Sequence, residues 1–403
     1  MLYQGYELAN RAMEPLRAGA RVWQTVLQSE LNPMRQSAWS KASAASISVM
    51  DLMTRAYEKP DWQIIHPENQ STLTPDCVVQ KPFAHLLRFD AYPEQQKPRV
   101  LLVPPLSGHY ATLLRGTVKA LIKDFEVYVC DWQNARDVPL SAGRFDLNDY
   151  IDYLIDFMRS LGTSTHVIGV CQPGPAVLSA VALLSEAKDP ATPKSMTIIG
   201  SPIDPRESPT EPNRLAESRP YAWFEQNCVH RVPWPNTGVG RQVYPGFLQL
   251  AGFMSMNQSR HIDAQSRYFD DLVSEQHAAA RKHEHFYAEY LSVLDLSAEF
   301  YLQTIRDIFQ TYKLPNGTFE HRGQTVDLSA IKQTALMTIE GELDDISGVG
   351  QTQAAHRLCS NIPKAKRMTM VQPGAGHYGV FSGAKFREVI YPQVRDFIVG
   401  NNS

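Results

Sequence analysis

The hydrophobic pattern changes character along the chain. Up to about residue 60, apolar positions recur at helical spacing among polar neighbours, with Met13, Leu16, Trp23, Val26 and Leu27 as the clearest set. A small-residue segment over 37–48 and a further helix to Tyr57 complete this stretch, which reads as a helical layer packed on the body rather than an arm for a partner or an apolar surface. A Pro-, Asn-, Ser- and Thr-rich connection over 66–82 follows. Beyond it the apolar residues gather into short, nearly continuous runs at 83–89, 99–105, 125–132, 167–170 and 194–202, as expected of strands buried on both faces of a largely parallel sheet. Helical patterns at 113–122, 147–161 and 175–184 separate them. The alternation predicts an α/β fold, a mostly parallel central sheet with flanking helices and right-handed crossovers.

After Pro202 the alternation stops. Residues 203–328 are rich in Pro, Tyr, Trp and His, with helical runs around 247–256, 261–285 and 287–312 and no strand expected. An insertion of this size between late strands predicts a helical cap over a site. Its Trp223, Trp234, Tyr244, Phe247, Phe253, Met254 and Met256 are expected mostly to pack the cap, with a minority lining a groove. Strands resume at 334–341 and 367–372, and residues 384–399 close the chain as an amphipathic helix. The division expected is an N-terminal helical extension (1–82), a first part of the core (83–202), the cap (203–328) and a second part of the core (329–403).

Composition narrows the classes. With 43% hydrophobic and 20% charged residues in 403, this is an ordinary globular chain. A net charge of −3 without a long basic run gives no reason to expect nucleic acid. No signal-like head and no apolar run of spanning length is seen, so the reading is cytoplasmic. The five cysteines, Cys77, Cys130, Cys171, Cys228 and Cys359, are odd in number and lack C-x-x-C spacing, against a disulfide framework or a zinc site. His283-Glu284-His285 places two histidines at i and i+2, on different faces of a helix, so a solvated surface is expected there instead of a metal. No glycine-rich phosphate fingerprint follows a strand, so no cofactor is expected. Homo-oligomerisation is left open.

The chemistry concentrates at three strand ends. Val167-Ile168-Gly169-Val170-Cys171-Gln172-Pro173-Gly174 is strand, sharp turn and helix start, with Cys171 at the apex and Gly169 and Gly174 giving clearance. Pro173 stands where G-x-S-x-G has its second glycine. A helix N-terminus favours a thiolate and can stabilise an oxyanion. The strand at 334–341 runs into Glu342-Leu343-Asp344-Asp345, and that at 367–372 into Gly374-Ala375-Gly376-His377. Nucleophile, acid, histidine is the chain order of α/β-hydrolases. Cys171, Asp344 and His377 are therefore the expected triad, with Asp345 the fallback acid; spacing alone does not decide between the two. The expected oxyanion donors are the backbone N–H groups of Gln172 and, after the strand at 99–105, Leu106, with Ser107 second. Asp131-Trp132 at a strand end fits either a site rim or core packing.

The elbow Gly169-Val170-Cys171-Gln172-Pro173-Gly174, the loop Glu340-Gly341-Glu342-Leu343-Asp344-Asp345-Ile346-Ser347-Gly348 and the segment Gly376-His377-Tyr378-Gly379-Val380-Phe381-Ser382-Gly383 together resemble the bacterial intracellular poly(3-hydroxybutyrate) depolymerases. Met1-Leu2-Tyr3-Gln4 and Tyr57-Glu58-Lys59-Pro60 extend the resemblance to essentially the whole chain. It implies an α/β-hydrolase that cleaves the polyester of cytoplasmic storage granules and releases 3-hydroxybutyrate oligomers or monomer. The family's nucleophile, acid and base fall on Cys171, Asp344 and His377. The alternatives are the related polyhydroxyalkanoate synthases, whose elbow usually continues with paired glycines and whose acidic loop usually reads Asp-His, and a non-catalytic granule protein on the same fold.

Overall fold

The computed structural model describes residues 2–256 and 258–402, with the side chain of Met256 outside the description. The seven apolar runs pair, with one further edge strand, into one eight-stranded sheet. Its strands are β1 (Asp76–Gln80), β2 (Ala84–Phe89), β3 (Arg99–Val103), β4 (Glu126–Trp132), β5 (Thr165–Val170), β6 (Ser195–Ile199), β7 (Ala335–Gly341) and β8 (Arg367–Gln372). The spatial order is β1-β2-β4-β3-β5-β6-β7-β8. β2 runs antiparallel to both neighbours and the remaining pairings are parallel. This order, with an antiparallel second strand and a sharp turn into a helix after β5, is that of an α/β-hydrolase.

β5 and β6 are buried at every position, which is why both read as unbroken apolar runs. Alternate residues of β5 serve opposite faces: Val167 joins one apolar cluster, Ile168 and Val170 the other. The helices covering those faces include α3 (Arg115–Leu121), α4 (Leu147–Leu161) and α5 (Gly174–Glu186). α4 starts at Asp146, whose side chain accepts from the N–H groups of Asn148 and Asp149 in a capping box.

The N-terminal stretch forms α1 (Leu2–Gln28) and α2 (Ala38–Thr54). The small-residue segment is helix: Ser40, Ala44 and Ala45 of α2 are buried, and their size allows the close approach of α1. Tyr3 donates to Asp295 at 2.5 Å and Tyr6 stacks on Phe247 at 4.0 Å, so the extension is tied to the segment after β6.

That segment carries α6 (Glu211–Ser218), α7 (Tyr221–Cys228), α8 (Gly246–Met256), α9 (Gln258–Val273), α10 (His277–Tyr290) and α11 (Ala298–Thr304). The expectation of no strand there is corrected: His230–Arg231, Gln242–Tyr244 and Leu296–Ser297 form a three-stranded antiparallel sheet. Strands of two or three residues are too short to show alternation. The single helix expected over 261–285 is two, broken after Val273, where Glu275 adopts φ +57°. The expected helix over 287–312 is interrupted by the short strand and resumes as α11 and a wider turn over Ile305–Gln310. The connection over 66–82 also contains β1, an edge strand exposed over most of its length and so without an apolar signature.

Candidate active site

At the end of β5 the chain turns so sharply that Cys171 takes φ +67°, a left-handed conformation that L-residues adopt only when the surroundings hold it. The Cys171 N–H donates to Ile199 O at 2.7 Å and its carbonyl accepts from Ser201 Oγ at 2.6 Å, so the end of β6 grips the turn from both sides. Gly174 is the close-approach residue. A Cβ there would lie 2.5 Å from Ser201 Cβ and 3.0 Å from Ile203 Cδ1, whereas at Gly169 the nearest atom, Val177 Cγ2, would be 3.2 Å away. α5 begins at Gly174, placing the thiol beside its N-terminal end.

His377 opens a single helical turn after β8 and is buried. Its Nδ1 lies 2.8 and 3.0 Å from the two Asp344 oxygens, and it lines one cavity with Cys171. Asp344 Oδ1 also accepts from the Ile346 and Ser347 N–H groups at 2.9 and 2.8 Å. Asp345, the fallback acid, is exposed. Burial pushes the His377 imidazole down, but the charges of Cys171 and Asp344 and the hydrogen bond to Asp344 outweigh it and hold the pKa well above the ordinary histidine value. Gly200, which sequence reasoning missed, lets the backbone pass this pair: at φ +54°, a Cβ there would lie 3.3 Å from His377 Cε1 and 3.4 Å from Asp344 Oδ2. A glycine ending an apolar strand was the available signal.

The expected oxyanion donors meet in one place. Leu106 N–H donates to the Gln172 side-chain oxygen at 3.2 Å, while the Gln172 backbone N–H has no acceptor among the described residues. Ser107 lines the same cavity. This cavity, of about 320 Å³, contains Cys171 and His377 and is walled by Leu106, Phe224, Tyr244, Phe253, Phe300 and Tyr301. Of the aromatic and methionine side chains singled out from the sequence, Tyr244 and Phe253 line it, Phe247 packs against Tyr3 and Tyr6, and Trp234 is exposed. Met256 lies outside the described side chains.

Two other expectations resolve differently. His283 is not on a freely solvated face: it stacks between Tyr268 (4.4 Å) and Tyr287 (4.5 Å), and Glu284 accepts from Tyr268. Trp132 is core, stacked on Tyr150 with its indole N–H on Pro104 O, and Asp131 is buried against Lys59. Among the described residues no three or more His, Cys, Asp or Glu side chains gather where they could hold a metal.

A family model described as PHB de-polymerase C-terminus matches residues 200–402, half of the chain. The chain belongs to the PHB depolymerase family. It is accordingly a carboxylic ester hydrolase. The part matched by the depolymerase model holds Asp344, His377 and much of the cavity wall and begins after Cys171, Gln172 and Leu106. Similar solved structures include a thermophilic esterase from Thermogutta terrifontis (14% identity, 83% of this chain and 100% of that one, TM-score 0.45). Others are a soluble variant of monoglyceride lipase from Saccharomyces cerevisiae (14%, 84% and 98%, 0.48) and a monoacylglycerol lipase from Paleococcus ferrophilus (14%, 79% and 99%, 0.43). Likenesses this distant bear on neither substrate nor mechanism. No curated protein sequence matches the chain significantly. No helix among the described residues is long and apolar enough to cross a membrane.

Proposed function

We propose that this chain is an intracellular poly(3-hydroxybutyrate) depolymerase that cleaves the polyester of cytoplasmic storage granules through an acyl-cysteine intermediate. The supporting observation is a cysteine on a strained elbow that shares an apolar cavity with a buried His377–Asp344 pair, in a chain of this family.

His377 takes the thiol proton of Cys171, and the thiolate sulfur attacks the ester carbonyl carbon. The C–S bond forms as the carbonyl electron pair moves to oxygen, which meets the backbone N–H groups of Gln172 and Leu106. The Gln172 carboxamide, which holds Leu106 N–H, turns aside to admit that oxygen. Collapse breaks the C–O bond, and the alcohol-side chain leaves with the proton carried by His377. A water then gives a proton to His377, its oxygen attacks the thioester, and the sulfur departs with that proton returned to it by His377, leaving a free carboxylic acid and the Cys171 thiol. Asp344 fixes the tautomer with Nδ1–H and stabilises the imidazolium throughout.

The test is to incubate the protein and its Cys171→Ala variant with amorphous poly(3-hydroxybutyrate) granules without coenzyme A and to assay soluble 3-hydroxybutyrate. Release by the parent alone is expected. No release from either, with polymer growth when 3-hydroxybutyryl-coenzyme A is supplied, would replace this reading by a synthase.

A further inference from the structure

Hydrolysis leaves the acyl part on Cys171 and sends the alcohol part past His377, whose ring must protonate the departing oxygen. The structure is open on that second side. A groove of about 710 Å³ lies between α9 and α10, and its floor includes His377, Tyr378 and Phe253, all of which also line the apolar cavity. The two spaces therefore share the histidine. Their linings differ in charge: the groove carries Arg260 and Arg267 from α9 and Lys282 from α10. Residues 260, 264, 267 and 271 recur at three- and four-residue spacing, so one face of α9 is turned to the groove. Two carboxylates, Asp271 and Asp345, also line it, yet among the described residues none of the three cations has a carboxylate within ion-pairing distance. Cations left unpaired beside an apolar floor suit a ligand that is apolar along its length and anionic at its end.

We propose that this groove binds the alcohol side of the scissile ester and that Arg267 and Lys282, with Arg260, receive a free carboxylate there. The substrate favoured is then a polyester chain end or oligomer with its terminal acid close to the cleaved bond, and the alcohol-side product is a short hydroxyacid. This rests on the esterase reading above and names the part of the substrate that the other side of the site selects.

The experiment compares linear 3-hydroxybutyrate trimer as the free acid and as its methyl ester, which differ only in the terminal charge. For the parent, kcat/KM for the acid should exceed that for the methyl ester by about tenfold, the scale of a charge-assisted hydrogen bond. In Arg267→Gln/Lys282→Gln the ratio should fall to about one, as both substitutions lie on exposed helix positions and disturb no packing. An equal rate for acid and ester in the parent, or an unchanged ratio in the variant, overturns the proposal. So does a loss seen in the variant only when a phosphate-bearing thiol is supplied as acceptor, which would assign the cations to that acceptor. Failure of the parent to cleave either trimer would instead refute the esterase reading itself.

Discussion

Asp344→Asn separates two roles that one carboxylate performs. Asp344 Oδ1 accepts from the N–H groups of Ile346 and Ser347, and Oδ2 lies 2.8 Å from His377 Nδ1. An asparagine can keep the first role only by placing its carbonyl oxygen at the Oδ1 position. Its NH₂ then faces His377, and a donor there requires Nδ1 to accept. The proton is forced to Nε2, the nitrogen that takes the proton of Cys171 in the proposed mechanism, while the fold keeps both backbone bonds. The same exchange in a serine triad costs about 10⁴ in kcat; a thiol ionises more readily, so a loss of about 10³ is expected, or ~4 kcal/mol of transition-state stabilisation. Asp345→Asn, at an exposed position, should stay within about twofold. Both would be assayed by kcat/KM on soluble 3-hydroxybutyrate oligomers across pH. Because His377 is held above the ordinary histidine range by Cys171 and Asp344, the activity that needs the imidazolium should persist to high pH in the parent. In Asp344→Asn that limb should move down. Retention of activity within tenfold, or an equal loss in Asp345→Asn, would refute the assignment of the acid.

Thiol alkylation offers a second check: burial pushes the Cys130, Cys228 and Cys359 thiols up, Cys359 to about 12, so in a Cys77→Ser background Cys171 should be the one fast-labelling site by mass spectrometry. Gly174→Ala should lower unfolding free energy by about 1–3 kcal/mol in urea titrations, since its Cβ would meet Ser201 Cβ at 2.5 Å. Asp295 is buried, and desolvation raises its pKa from the ordinary carboxylate range to about 6. The folded state then binds the proton more tightly, so stability should rise as pH falls from about 7 towards 4, by up to ~3 kcal/mol from this group, and Asp295→Asn should flatten that dependence.

The parts of the fold legible in the sequence are those whose apolar residues recur in a clear pattern. α4, with its capping box, and β8 match their expected bounds, and β5 announces itself because each of its residues is inside. Exposed or very short elements gave no such signal: β1 pairs along one edge, and the three small strands after β6 are held by neighbours distant in sequence. At the candidate site, Cys171, Asp344 and His377 were readable because strand ends on one sheet edge are brought together by topology alone. Gly200 showed only as a glycine ending an apolar strand, and the Gln172 carboxamide was not readable, since its role depends on a distance between loops. The groove between α9 and α10 was hidden for the same reason: its cations come from two helices that the periodicity merged into one.

Ser201 ties these observations to the architecture. Its hydroxyl holds the carbonyl of Cys171, and its N–H and carbonyl both meet the Thr352 side chain, which follows β7. The long excursion between β6 and β7 thus leaves the sheet within two residues of the contact that steadies the elbow. For anyone replacing the segment that follows β6, the splice point should fall beyond Ile203, because a junction placed earlier would replace the very residues that keep Cys171 in its strained pose.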